Sequence, residues 1–354
     1  MSLHGRIRRI RTSAAGRAPA RLALALAAVL LALALSACGS THDVIAPGAP
    51  HPFSLMLDFF PNADHAAIYE AIGDGAFRSA GLDVRPQTPA DPSQPLKLLA
   101  AGKVDMAISY EPEVLLARDQ GLKVVSIAAL VQRPLTSLIA LPGSHVKKVA
   151  DLKGKTVGTA GIAYQTAELQ TILGNAGVAP SSVHQVNVGF DLVQAMLSGK
   201  VAATLGGFWN YEAIQLQLLH KRPLVIPVDQ AGVPTYDELV LVVRTDEART
   251  DGEDLRGFLH AIGVGEQAAR ADPAAAARLV LAANPSLDPT LQLRSIEQTL
   301  PAEAPSGSGQ PFGYQNPGQW AAFGRWMLSK GLLHRDPTKG SPPFSNEFLP
   351  GQGV

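Results

Sequence analysis

From Phe53 onward the chain alternates short apolar runs with helix-patterned segments, and this alternation constrains its architecture more than any other feature. Phe53 to Leu57 reads as a strand, Ala66 to Ile72 as a short helix, and Leu82 to Arg85 as the next strand after a stop at Gly81. Ser93 is an N-cap for Leu96 to Ala101, which Gly102 ends. Val104 to Ile108 follows as a buried strand. Pro112 occupies the first turn of a helix that runs to Gln120 and stops at Gly121, before the strand Val124 to Leu130. Strands separated by helices predict an α/β fold with largely parallel sheets. With 354 residues and 46% hydrophobic content, there is ample chain for a packed core.

The pattern then restarts. Asp151 to Lys155 precedes a strand from Thr156 to Gly158, and a helix follows from Tyr164 to Leu173. A weak internal echo joins the two halves: Leu98 to Ser109 (LLAAGKVDMAIS) is similar to Ala195 to Gly206 (AMLSGKVAATLG). Each reads as a helix end, a Gly-Lys turn and a buried strand. Each is followed by an aromatic-acid pair, Tyr110-Glu111 and Tyr211-Glu212. Two lobes built alike, with ligand groups between them, are the expectation. Leu239 to Val243 reads as a fully buried strand, with helices near Leu255 to Ala271 and Pro273 to Ala283. Pro301 to Gly318 reads as a long loop. A last helix spans Trp320 to Lys330, where Trp320, Phe323, Trp326 and Met327 fall at helical spacing as core residues.

The N-terminus reads as an export signal. Six arginines precede an uncharged run from Leu22 to Leu35, and Ser36, Ala37 and Cys38 follow. The run is short for a bilayer span. Leu-Ser-Ala before Cys38 resembles a bacterial lipobox, which implies that Cys38 becomes the lipidated first residue and that residues 39–50 form a tether. Cys38 is the only cysteine, so no disulfide and no other cysteine nucleophile or ligand is available. Lys plus Arg and Asp plus Glu both number 30, a balance that gives no electrostatic case for nucleic acid. The nine histidines lack ligand spacing, so no metal is expected, and neither a GxSxG elbow nor an HExxH pair is present. No cofactor is implied.

The densest chemistry lies in Leu57 to Tyr69, LDFFPNADHAAIY. An apolar strand ends at Asp58, two phenylalanines and Pro61-Asn62 follow, and a helix begins near Asp64 and His65. Open α/β sheets present ligand groups at such strand-to-helix turns. Asp58, Phe60, Asn62 and His65 are therefore candidates, with Tyr110 and Glu111 at the next strand end. The ordinary alternative is a polar turn closing a strand.

Four segments together resemble the solute-binding proteins related to thiamine-pyrimidine synthase, and within that family the binders of thiamine-pyrimidine precursors. Leu57 to Tyr69 is similar to the family's first signature and Gly102 to Ser109 (GKVDMAIS) to its second. Asp151 to Gly158 (DLKGKTVG) is common to many binding proteins. Phe323 to Leu333 and Ser345 to Pro350 resemble the family's ending. One departure is Phe59, where the family often has Trp.

The resemblance implies a two-lobed type II periplasmic-binding-protein fold with a ligand cleft. Lobe 1 would comprise residues 51–141 and 236–354, and lobe 2 residues 142–235. The protein would be a monomer, lipid-anchored on the extracytoplasmic face of the cell membrane, passing its ligand to an ABC permease and ATPase. An aminopyrimidine wants ring faces and a carboxylate for its amine. Trp209 is the expected stacking ring, with Tyr211 beside it, Glu212 the acid at the amino edge, and Tyr164 a cap. A sulfonate, nitrate, riboflavin or other heterocycle is the alternative cargo. An anion is disfavoured because Thr159 to Tyr164 offers one aliphatic hydroxyl and no basic residue. The family's enzymes carry a cysteine-rich run, which this chain lacks, so enzyme activity is not expected.

Overall fold

The computed structural model describes residues 49–303 and 309–352; the expected signal, Cys38 and most of the expected tether lie outside the described residues. One five-stranded sheet holds β1 (His51–Met56), β2 (Leu82–Gln87), β3 (Met106–Ser109), β4 (Val124–Val131) and β10 (Leu239–Arg244). Their order is β2-β1-β3-β10-β4. A second sheet holds β5 (Thr136–Ala140), β6 (Thr156–Thr159), β7 (His184–Asn187), β8 (Ala203–Phe208) and β9 (Leu224–Pro227), in the order β7-β6-β8-β5-β9. The two-lobed α/β architecture is thus as the alternation predicts.

The sheets are mixed rather than largely parallel. β1 pairs in parallel with β2 and β3, and β6 with β7 and β8. β10, however, runs antiparallel to β3 and β4, and β5 antiparallel to β8 and β9. The reason is topological. β5 and β10 are the first strands after each crossing between lobes, so they enter their sheets from the edge toward which their neighbours run. The first crossing also falls earlier than the expected Pro142. It lies between Val131 and Thr136, because β5 already belongs to the second sheet. The chain returns between Pro227 and Leu239.

Both crossings meet at Glu238. This buried carboxylate accepts the backbone N–H groups of Leu135 (2.7 Å) and Thr136 (2.9 Å) and the Thr136 hydroxyl (2.9 Å). Three donors on one acid satisfy the backbone where it leaves one sheet and has not yet joined the other.

Helices cover the sheets. Gly252–Ala271 lies along Ala66–Gly73 so closely that a Cβ at Gly265 would sit 2.1 Å from the Ala67 carbonyl oxygen, which reserves that position for glycine. The helix Pro289–Glu303 continues through Pro301, where a loop is predicted from the proline. The last helix, Pro317–Ser329, is capped by Asn316, whose side chain accepts from the N–H groups of Gly318 and Gln319. Trp320, Phe323 and Met327 are buried there, as their spacing predicts, and Trp326 is partly buried against them. No helix among the described residues is long and apolar enough to cross a membrane.

Candidate functional site

β1 and β3 of one lobe and β6 and β8 of the other all end toward the gap between the sheets, and β5 starts there. Their turns enclose a cleft of about 530 Å³, counting its open mouth. Larger depressions lie on the outer surface, away from the convergence of strand ends. Strand-end chemistry, not size, identifies the site.

Asp58 follows β1 and is buried. One of its oxygens, Oδ1, faces His65 Nε2 at 2.9 Å, and Oδ2 accepts the Tyr110 hydroxyl at 3.0 Å. The backbone N–H of Asn62 donates to His65 Nδ1 at 3.3 Å, so the imidazole proton sits on Nε2 and is donated to Asp58. His65 does not line the cleft; it holds Asp58 in place. Asn62 lines the cleft, yet its amide is engaged locally. Oδ1 accepts the Asp64 N–H at 2.8 Å and Nδ2 donates to the Phe60 carbonyl at 3.1 Å. Asn62 caps the short turn Ala63–His65.

From the second lobe, Glu212 opens the helix Glu212–Leu218 and lines the cleft. Its Oε2 accepts the Phe208 N–H at 2.7 Å, and Oε1 takes no hydrogen bond from any described residue other than Glu212 itself. Burial pushes this carboxyl up to about 7, aided by the charges of Asp64 and Asp58 and opposed by the backbone N–H groups of Phe208 and of Glu212 itself. Tyr211 lines the cleft too, its hydroxyl accepting from Gln292 Nε2 at 3.1 Å. Tyr164 is buried at the start of the helix Ala163–Asn175 and faces Tyr110 edge-on, with ring centroids 6.3 Å apart. Both rings line the cleft.

Besides His65, three expected residues lie outside the cleft lining. Trp209 is outside the cleft lining. Its indole N–H donates to the Pro134 carbonyl at 3.0 Å and the Arg133 guanidinium covers its ring at 5.1 Å, which turns it onto the chain crossing. Phe60 packs 3.9 Å from Phe59, centroid to centroid, and edge-on to Tyr211, on the outer side of the lip. Glu111 is fully buried and does not line the cleft. It accepts the Asp237 N–H at 2.8 Å, and burial with the adjacent Asp237 holds its carboxyl well above the usual range. A one-residue rotation at a strand end decides such matters, and residue type does not report it.

Other cleft residues were not legible as such. Phe59 and Phe190 meet edge to face across the lobes at 4.5 Å, and Phe208 also lines the space. Phe190 follows β7, an exposed edge strand with no apolar pattern to announce it. Asp64 lines the cleft and joins the lobes: Asn210 Nδ2 donates to its Oδ1 at 2.6 Å, and the Thr299 hydroxyl does so at 2.9 Å. Burial pushes Asp64 up to about 6, opposed by the neighbouring His65 and by Thr299. Gln165 lies over Gly206, where a Cβ would come within 2.5 Å of its Nε2, and its Oε1 accepts the Ala160 N–H at 3.0 Å. The cleft therefore brings together three carboxylates and six aromatic rings. No Lys, Arg or His lines it among the described residues. No cluster of described residues has the makings of a metal site.

Two mixed sheets joined by crossing strands, with a polar-aromatic cleft between them, define the periplasmic-binding-protein fold. The alkanesulfonate-binding protein of Xanthomonas axonopodis pv. citri superposes with a TM-score of 0.64 at 16% identity, covering 82% of this chain and 96% of its own. The ligand-binding component of an ABC-type import system from Staphylococcus aureus does so with a TM-score of 0.62 at 9% identity, covering 80% and 93%. Residues 62–276 match the family described as NMT1/THI5 like, and the chain belongs to that family. It is 35% identical to a formylaminopyrimidine-binding protein of Halalkalibacterium halodurans over 90% of this chain and 97% of the relative. It is 37% identical to a putative thiamine biosynthesis protein of Haemophilus influenzae over 72% and 80%. More distant, at 26% identity, is a 4-amino-5-hydroxymethyl-2-methylpyrimidine phosphate synthase of Legionella pneumophila.

Proposed function

We propose that this chain is the solute-binding component of an ABC importer and that its cleft takes a thiamine-pyrimidine precursor of the formylaminopyrimidine or hydroxymethylpyrimidine type. The observation that carries this is the lining itself: carboxylates and ring faces without a single cation. A sulfonate or nitrate would meet Asp58, Asp64 and Glu212 with no compensating charge, and burying an unpaired anion there is prohibitive. A flat amino-heterocycle suits the same walls. Its faces meet aromatic rings and its amine donates to the free oxygen of Glu212. The kinship with a formylaminopyrimidine-binding protein supports the same cargo.

The reading extends to delivery. Residues 1–38 direct export, Cys38 carries the lipid, residues 39–50 tether a monomer to the extracytoplasmic face, and permease and ATPase subunits receive the ligand. Residues 51–131 and 239–352 form lobe 1, and residues 136–227 form lobe 2. Binding rather than synthesis is the role. The more similar relatives carry binding or biosynthesis names, the synthases are more distant, and Cys38 is the sole cysteine.

A thermal-shift screen tests the cargo. A ligand at a hundred times its Kd stabilises the folded state by about 2.7 kcal/mol. Formylaminopyrimidine or hydroxymethylpyrimidine is expected to raise Tm, while taurine and riboflavin leave it unchanged. The reverse pattern would overturn the assignment.

A further inference from the structure

The chain has zero formal net charge, but that charge is unevenly placed. Six of its cations are the arginines before Leu22, and Asp43 is the sole acid before Ala49, so the described body is net acidic. Within it, every Lys and Arg between Thr136 and Pro227 sits at one end of the second lobe: Lys147, Lys148, Lys153, Lys155, Lys200, Lys221 and Arg222.

Topology puts them there. The connection 141–155 leaves the end of β5 and enters β6, Lys200 precedes β8, and Lys221 and Arg222 precede β9. All of these strand ends are the ones opposite the cleft. The acids of this lobe are Asp151, Glu168, Asp191 and Glu212, and Asp151 alone shares the basic end. None of the seven cations comes within 4.0 Å of a described acid's oxygens.

Four of the seven, with His145 and His220, line an open depression of about 1720 Å³ that no acid lines. All seven are exposed except Lys155, which is half-buried. His145 and His220 are also the only non-glycine residues among those described with left-handed backbone, both at φ 58. A glycine would hold either turn without strain, so an imidazole stands at each at a conformational cost.

We propose that this basic end of the second lobe is a docking surface for an anionic phospholipid membrane. The arrangement suits a diffuse charged surface better than a discrete anion. The cations are exposed, six of the seven are lysines rather than forked arginines, and they ring a broad hollow instead of converging on one point. Clusters of four to eight such residues read as contacts to acidic lipid. The proposed tether keeps that surface in reach, since twelve residues extend at most about 40 Å. β1 starts at the edge of the first sheet opposite Asp58, so tether and basic end attach to the far ends of different lobes. Contact at both ends would lay the protein along the membrane. The surface is independent of what the cleft holds.

Co-sedimentation tests this with the chain from Ala49 onward, which forms one compact unit with its own apolar cores. Vesicles of phosphatidylcholine with about 30% phosphatidylglycerol are expected to capture it at about 50 mM salt, and to release it at about 500 mM. Pure phosphatidylcholine captures none. Each basic side chain near such a surface contributes roughly a fivefold factor in partitioning. The triple variant Lys155→Glu, Lys200→Glu, Lys221→Glu should therefore bind at least about 100-fold less, since each change reverses a charge rather than only removing it, with unchanged Tm. The control Lys103→Glu, Lys123→Glu, Lys330→Glu has the same net charge and retains binding. Equal loss in the control, no capture by acidic vesicles, or retention on heparin or an acidic protein without vesicle binding would each overturn the proposal.

Discussion

Replacing Glu212 by Gln isolates the contact on which ligand capture rests. In the folded chain Glu212 Oε2 accepts the Phe208 N–H at 2.7 Å, leaving Oε1 for the ligand. A glutamine has one oxygen. If that oxygen keeps the Phe208 N–H, the ligand amine meets an NH2 group; if it turns to the ligand, the Phe208 N–H loses its partner. One hydrogen bond is lost in either rotamer. A bond to a charged acceptor is worth about 1.5–3 kcal/mol and one between neutral groups about 0.5–1.5 kcal/mol. The expected loss is therefore about 1–3 kcal/mol, or a rise in Kd of roughly 5- to 150-fold. Calorimetric titration with formylaminopyrimidine at pH 8 reads this directly, because Glu212 is pushed up to about 7 and is largely ionised there. At pH 5.5 the wild-type acid is protonated, and its advantage over the variant shrinks. The variant stays folded, since it removes a buried charge rather than adding one. Wild-type and variant affinities that agree at pH 8 would refute the reasoning, and with it the role of Glu212.

Two further outcomes follow from the same geometry. Trp209→Phe leaves the Kd unchanged while losing the indole bond to Pro134, worth about 1 kcal/mol; a tenfold weaker Kd would restore Trp209 as a ligand contact. In the unliganded protein, burial pushes Asp64 up to about 6, Glu212 and Glu238 up to about 7, and Glu303 up to about 8. Carboxyls raised in the folded state favour folding at pH below their unfolded values and lose that contribution as pH rises through the folded ones. Calorimetry should show Tm falling between pH 5 and 8, and a flat or rising profile would contradict the burial of these acids.

Much of the candidate site was legible because strand ends and turns are local. Asp58 after β1, Tyr110 after β3 and Glu212 after β8 were found from an apolar run ending in an acid or aromatic, and all three line the cleft. The rule that found them could not choose among adjacent rings. Phe59 faces the cleft and Phe60 the outer lip; Phe208 lines the cleft and Trp209 turns to Pro134. Neighbouring residues in an irregular turn have no fixed period, so their directions follow from what packs against them.

Alternating apolar runs, the glycine and proline stops between them and the acid-aromatic strand ends are properties of short windows, and these the chain declared unaided. The antiparallel entry of β5 and β10, the three donors gathered on Glu238 and the bonds from Asn210 and Thr299 to Asp64 join residues about 60 or more positions apart. Such pairings depend on how two sheets meet in space. Only the tertiary structure decided them, because no local pattern records which distant donor will find a given acceptor.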